Sequence, residues 1–287
     1  MNQHVIMQHS NKNGFAFQSG VHTLRGVSVV PSQQAETAII LIHGWGTCRI
    51  GPQRSFVDLA DQLASRGFSA FRFDLPGRGE SEGDESIITL DDMAQSVVDC
   101  IRYIKETYTS IKRFGLTGIC SGGNTAILAS TEEHVDFLVL WSTFSFRVKK
   151  SGAVKTGRTF HFMKTYLKKL FTVSAWKRFF AGALNFKMIF RTLFGHYKRN
   201  TLEHLKKSRK DVMDSWKTFK GKALFVYGEN DPEAVDAKKE YKEFCAAHSI
   251  AAEFADIAQA SHNFYRKEWR DELFSVSIDF IEKHPVP

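Results

Sequence analysis

The sequence is short of cysteine and proline, with four of one and six of the other in 287 residues. Cys48, Cys100, Cys120 and Cys245 make no C-x-x-C pair and no regular framework, which excludes a disulfide-stapled scaffold. A reducing, cytoplasmic setting is therefore expected, and a reactive thiol would need one. There is no run of 18 or more apolar residues, so no membrane-spanning helix is expected. Residues Met1 to Ser10 lack a basic start followed by an apolar stretch, so no signal peptide is expected either. No nucleic-acid reading motif is present, and that argues against a DNA or RNA partner despite a net charge of +8. What remains is ordinary for a globular protein, with 43% hydrophobic and 24% charged residues and 25 Phe. The length suits one large α/β domain carrying an insertion.

Acidic residues are scarce in one place. Between residues 144 and 220 there are 20 Lys and Arg against 3 Asp and Glu, whereas the rest of the chain holds 19 basic and 28 acidic residues. The excess positive charge belongs to this segment. It also carries 11 of the 25 Phe and shows helical rather than strand spacing, as in His161 to Phe171 and Trp176 to Phe194. An all-helical insertion is expected over 144–220, with 1–143 and 221–287 forming the core. Solvated lysines and core-facing aromatics account for most of its residues. An apolar tunnel with a basic rim would further suit an anionic or lipid-like partner, or peripheral contact with an anionic membrane.

Outside that segment, apolar runs alternate with amphipathic ones. Strands are expected over 21–30, 37–42, 68–73, 111–116, 135–141, 222–227 and 251–255, and helices over 55–67, 90–108, from 124, 235–247 and 274–283. The run Thr37 to Ile42 is apolar throughout, as a strand covered on both faces should be.

The chain is organised around Thr117-Gly118-Ile119-Cys120-Ser121-Gly122-Gly123, which lies between a strand and a helix. A nucleophile elbow needs glycines two residues before and two after its centre, because the strand and helix backbones pass close by. Gly118 and Gly122 stand so about Cys120. Centring on Ser121 would put Ile119 at one of those places, so the turn presents a thiol. The Ser121 amide would point back at the nucleophile as an oxyanion donor, and the helix start would favour thiolate. A thiol nucleophile needs a base within reach, and the base needs an orienting carboxylate. Asp231 in Gly228-Glu229-Asn230-Asp231 and His262 in Ser261-His262-Asn263-Phe264 each follow a strand and supply the two.

These motifs, with His43-Gly44-Trp45-Gly46 and Asp74-Leu75-Pro76-Gly77-Arg78-Gly79-Glu80-Ser81, resemble the α/β-hydrolase superfamily over residues 24–130 and 222–284. The chain order Cys120, Asp231, His262 is similar to that family's order of nucleophile, acid and base. Cys120 stands where most relatives carry Ser; dienelactone-hydrolase-like enzymes also use Cys. The stretch Cys48 to Phe56, with the Cys-centred elbow, resembles the exosortase-associated hydrolases. The resemblance implies a mostly parallel twisted sheet flanked by helices, with 144–220 as a helical cap. It also implies a second oxyanion donor in the loop after the 37–42 strand, assigned to the Trp45 amide with Gly46 as the neighbouring alternative. His43 is expected to hold that loop rather than do chemistry. The expected activity is hydrolysis of a small-molecule carboxylic ester or thioester through an acyl-thioester on Cys120, with no metal or organic cofactor. Acyl transfer on the same residues, or non-catalytic docking through the basic cap, are the alternatives.

Overall fold

A computed structural model describes residues 10–145 and 212–284, all of which belong to one compact unit. The strands are β1 (Ser10–Ser19), β2 (His22–Pro31), β3 (Thr37–Ile42), β4 (Ser69–Phe73), β5 (Arg113–Ile119), β6 (Phe137–Trp141), β7 (Lys222–Gly228) and β8 (Ala251–Ile257). They form one sheet in the order β1-β2-β4-β3-β5-β6-β7-β8. β1 pairs antiparallel with β2, and β2 with β4. Every other pairing is parallel. Parallel strands need crossovers, and α1 (Ser55–Ala64), α2 (Leu90–Thr107), α3 (Ser121–Ala129) and α5 (Ala234–Ala247) lie in them. α4 (Val212–Trp216) precedes β7, and α6 (Lys267–Glu282) closes the chain.

The central strands are buried on both faces. Every residue of β3, β4 and β6 is buried, and in β3 and β6 this is why the sequence reads as a mostly apolar run; β4 is buried although it carries Ser69 and Arg72. Each flanking helix lays one apolar stripe on the sheet. In α2 the stripe includes Met93, Val97, Ile101 and Ile104, and the helix begins with a capping box in which Thr89 and Asp92 satisfy each other's backbone amides.

β1 was not expected from the sequence. Its first six residues are partly or fully exposed and include two Asn, one Lys and one Gly, so it carries no apolar alternation until Phe15 and Phe17. α3 starts at Ser121 and α6 at Lys267, earlier than periodicity suggested. The glycines of α3 and the charged first turn of α6 hide those starts. The expected cap, 144–220, lies outside the described residues except at its ends. Its C-terminal end packs into the core, where the buried Trp216 stacks on Phe244 and meets Tyr241 and Phe225 edge-on.

Candidate active site

The strand topology brings four loops to the C-terminal edge of the parallel sheet, following β3, β5, β7 and β8. An open α/β sheet offers its ligand crevice at this edge.

The loop after β5 is a single strained residue. Cys120 has φ 60° and ψ −126°, a backbone conformation that side chains with a Cβ seldom adopt. The turn reverses so tightly that a Cβ on Gly118 would strike the Gly122 carbonyl, and one on Gly122 would strike the Ile42 carbonyl. Cys120 is anchored through its amide, which donates to the Trp141 carbonyl at 2.8 Å. Its thiol is free and partly exposed. Gly44 faces it closely, since a Cβ there would lie 3.5 Å from Sγ.

The loops after β7 and β8 are stitched together before their side chains meet. Glu229 N donates to the Ile257 carbonyl at 3.0 Å, and Asn230 N to the Ala260 carbonyl at 2.8 Å. In return Gln259 N donates to Glu229 Oε2 at 2.8 Å, and its carbonyl accepts from Asn230 Nδ2 at 2.9 Å. This fixes Asp231 opposite His262, with Oδ2 and Nδ1 2.8 Å apart. Asp231 is buried, and its other oxygen accepts the Glu233 amide at 3.1 Å. Burial pulls the His262 imidazolium toward neutrality. Hydrogen bonds with Asp231 and Cys120, and the field of both, outweigh it and push the ring up to about 10. His262 is therefore bonded to Asp231 and acted on by Cys120, the two partners named from the sequence.

The loop after β3 holds the other histidine. His43 is fully buried; its Nδ1–H donates to the Gly44 carbonyl at 2.8 Å, and its Nε2 accepts the Leu75 amide at 3.0 Å. Burial lowers it to about 4, so it stays neutral. Asp74 ties the same loop down by accepting Arg49 N at 2.7 Å, Glu80 N at 3.0 Å and the Arg49 guanidinium. The Arg78 guanidinium lies 4.7 Å from the centre of the Trp45 ring and pairs with Glu85.

The Trp45 amide, the expected second oxyanion donor, donates to Ser121 Oγ at 2.8 Å. The Ser121 hydroxyl was not foreseen as part of the site, although it adjoins Cys120. Phe144, also unforeseen, lies with its ring against His262. Among the described residues no group of three or more His, Cys, Asp or Glu is arranged to hold a metal ion, and no helix is long and apolar enough to cross a membrane.

An eight-stranded, mostly parallel sheet with a strained, glycine-flanked strand-to-helix turn and a histidine–carboxylate pair at one edge defines the class as α/β-hydrolase. The chain belongs to the Alpha/beta hydrolase family, whose pattern matches residues 39–275. Among curated proteins it is 29% identical over 125 residues to one of Aquifex aeolicus assigned by name to the carboxymethylenebutenolidases. That match covers 39% of this chain and 53% of the relative, so the chain spans about half the length of the curated relative it matches. Solved structures share the fold. An esterase of Pyrococcus furiosus superposes with a TM-score of 0.65 at 17% identity, covering 96% of this chain and 91% of that one. A dienelactone hydrolase of Anabaena variabilis gives 0.64 at 14% identity, covering 96% and 99%.

Proposed function

We propose that this protein is an ester-bond hydrolase in which Cys120 is the nucleophile, His262 the acid–base and Asp231 the orienting carboxylate. The observation that carries the reading is a histidine at the strand edge hydrogen-bonded to a buried carboxylate at 2.8 Å, with its ring held protonated by that carboxylate and by the elbow thiol. Family membership and the names of its relatives supply the reaction class. His262 takes the thiol proton, and the imidazolium so formed is stabilised by Asp231. The sulfur adds to the ester carbonyl, and the oxygen takes up the negative charge in front of the Ser121 and Trp45 amides. Each such donor contributes about 3 kcal/mol to the transition state. The bond to the leaving group then breaks, C–O in an ester or C–S in a thioester, and His262 returns its proton to the departing alcohol or thiol respectively. Water, deprotonated by His262, opens the resulting acyl-thioester and restores the free thiol.

Because the Trp45 amide is engaged by Ser121 Oγ, it binds the oxyanion only after that hydroxyl yields. A charged oxygen competes well against a neutral hydroxyl for one N–H, and a ground-state carbonyl competes poorly, so the arrangement favours the transition state. The basic, Phe-rich segment 144–220 acts as a helical cap, drawing anionic or lipid-like acyl substrates and contacting anionic membrane surfaces. A catalytic thiol works in its reduced form, and the reading carries with it a reducing, cytoplasmic setting.

A panel of carboxylic esters and acyl thioesters of graded chain length, assayed with wild type and Cys120→Ala, tests the reading. Hydrolysis lost in the variant supports it. Hydrolysis that survives in Cys120→Ala ends the assignment of the nucleophile, and acyl product appearing on an added alcohol or amine in preference to water redirects it to acyl transfer.

A further inference from the structure

The segment leaving β6 is gripped from both sides of the site. The Phe144 carbonyl accepts from Asn124 Nδ2 and from the Tyr241 hydroxyl, each at 2.8 Å, and those two donors lie 3.1 Å apart. One residue earlier the Thr143 carbonyl accepts the Tyr227 hydroxyl at 3.1 Å. All three donor side chains are buried. Asn124 sits on α3 four residues beyond Cys120, Tyr227 on β7 four residues before Asp231, and Tyr241 on α5. The elements that carry the thiol and the carboxylate thus hold the same short stretch of backbone. Burial pushes both phenols far above their ordinary range, so both stay hydroxyl donors at any working pH. The Phe144 ring that this backbone presents lies nearly parallel to the His262 ring, with centroids 5.3 Å apart and planes at 19°.

We propose that Phe144 is a positioning residue that fixes the plane of the His262 ring, so that one nitrogen faces Asp231 while the ring stays in reach of Cys120. The inference rests on the reading of His262 as acid–base. Its physical basis is twofold. A flat hydrocarbon face blocks rotation of the imidazole out of the Asp231 bond, and a π face stabilises the imidazolium more than the neutral ring. The titratable groups acting on His262 are Asp231 and Cys120; Phe144 adds no charge.

The test is to titrate the His262 ring by NMR in the unliganded protein, alongside kcat, for Phe144→Ala, Phe144→Leu and Phe144→Tyr. Ala and Leu are expected to lower the titration midpoint by about one pH unit and kcat by about tenfold. Tyr, which keeps the ring, should preserve both. Should Phe144→Ala fail to fold, Tyr241→Phe removes one hydroxyl from the clamp and is expected to move midpoint and kcat the same way by a smaller amount. A Leu variant with the wild-type midpoint and kcat, changed only in melting temperature, overturns the proposal, because bulk alone would then suffice. The midpoint is read without substrate, so it still reports on the ring contact if Cys120→Ala proves fully active and the nucleophile assignment falls.

Discussion

Two histidines sit at the same edge of this sheet, and their surroundings drive them in opposite directions. His43, after β3, is held at about 4 by burial, with a backbone bond to Gly44 and the nearby charges of Asp74 and Arg78, which act in opposite senses, failing to offset it. His262, after β8, is also largely enclosed but faces a carboxylate and a thiol, and is held at about 10. Burial penalises the charged ring at both positions; the partners decide the outcome. Two backbone groups satisfy a neutral imidazole completely and leave it nothing to do. Two acidic side chains make a proton carrier. The comparison separates a histidine that holds a loop from one that, on the function proposed above, moves protons, although both follow strand tips.

The largest effect expected from breaking the comparison is on activity. His262→Ala should lower kcat/KM on the order of 10^4-fold and His43→Gln far less, measured on one ester substrate. Next is Asp231→Asn, which keeps a hydrogen bond to Nδ1 but withdraws the charge. It should cost on the order of 10^2- to 10^4-fold in kcat and bring the His262 titration midpoint down from about 10.

Stability should reverse the ranking. His43→Ala orphans the buried Leu75 amide and leaves a cavity, costing about 2–4 kcal/mol in urea unfolding, whereas His262→Ala should cost less. The pH dependence of the urea midpoint should carry both rings, with opposite signs. The folded value of His43 lies below the ordinary 6.5, so its contribution is complete above about 6.5 and is lost as pH falls through about 4. The folded value of His262 lies above 6.5, so its contribution is complete below about 6.5 and is lost as pH rises through about 10. Removing either ring should flatten one limb of the profile and leave the other.

The architecture was legible because parallel strands covered on both faces write themselves as apolar runs, and β3 and β6 are of that kind. The loops were legible for a different reason. A strained turn forces glycine at Gly118 and Gly122, whose absent side chains leave room for neighbouring carbonyls, and Asp231 and His262 follow strands that end at the same edge. β1 was invisible because an exposed edge strand paired on one side needs no alternation along most of its length. Phe144 and the Ser121 hydroxyl were invisible because they act through contacts between elements distant in sequence. Asn124 and Tyr241 meet at a carbonyl across 117 positions, and no local pattern encodes that meeting. The stitched loops that set Asp231 against His262 are backbone contacts, which composition cannot report.

The decisive question is whether the Cys120 sulfur carries the acyl group. Wild-type protein mixed with an activated ester and quenched during turnover should gain one acyl mass on the peptide containing Cys120, labile to hydroxylamine and absent from Cys120→Ala treated alike. Turnover with no adduct on that peptide, or with the acyl group on another residue, would contradict it.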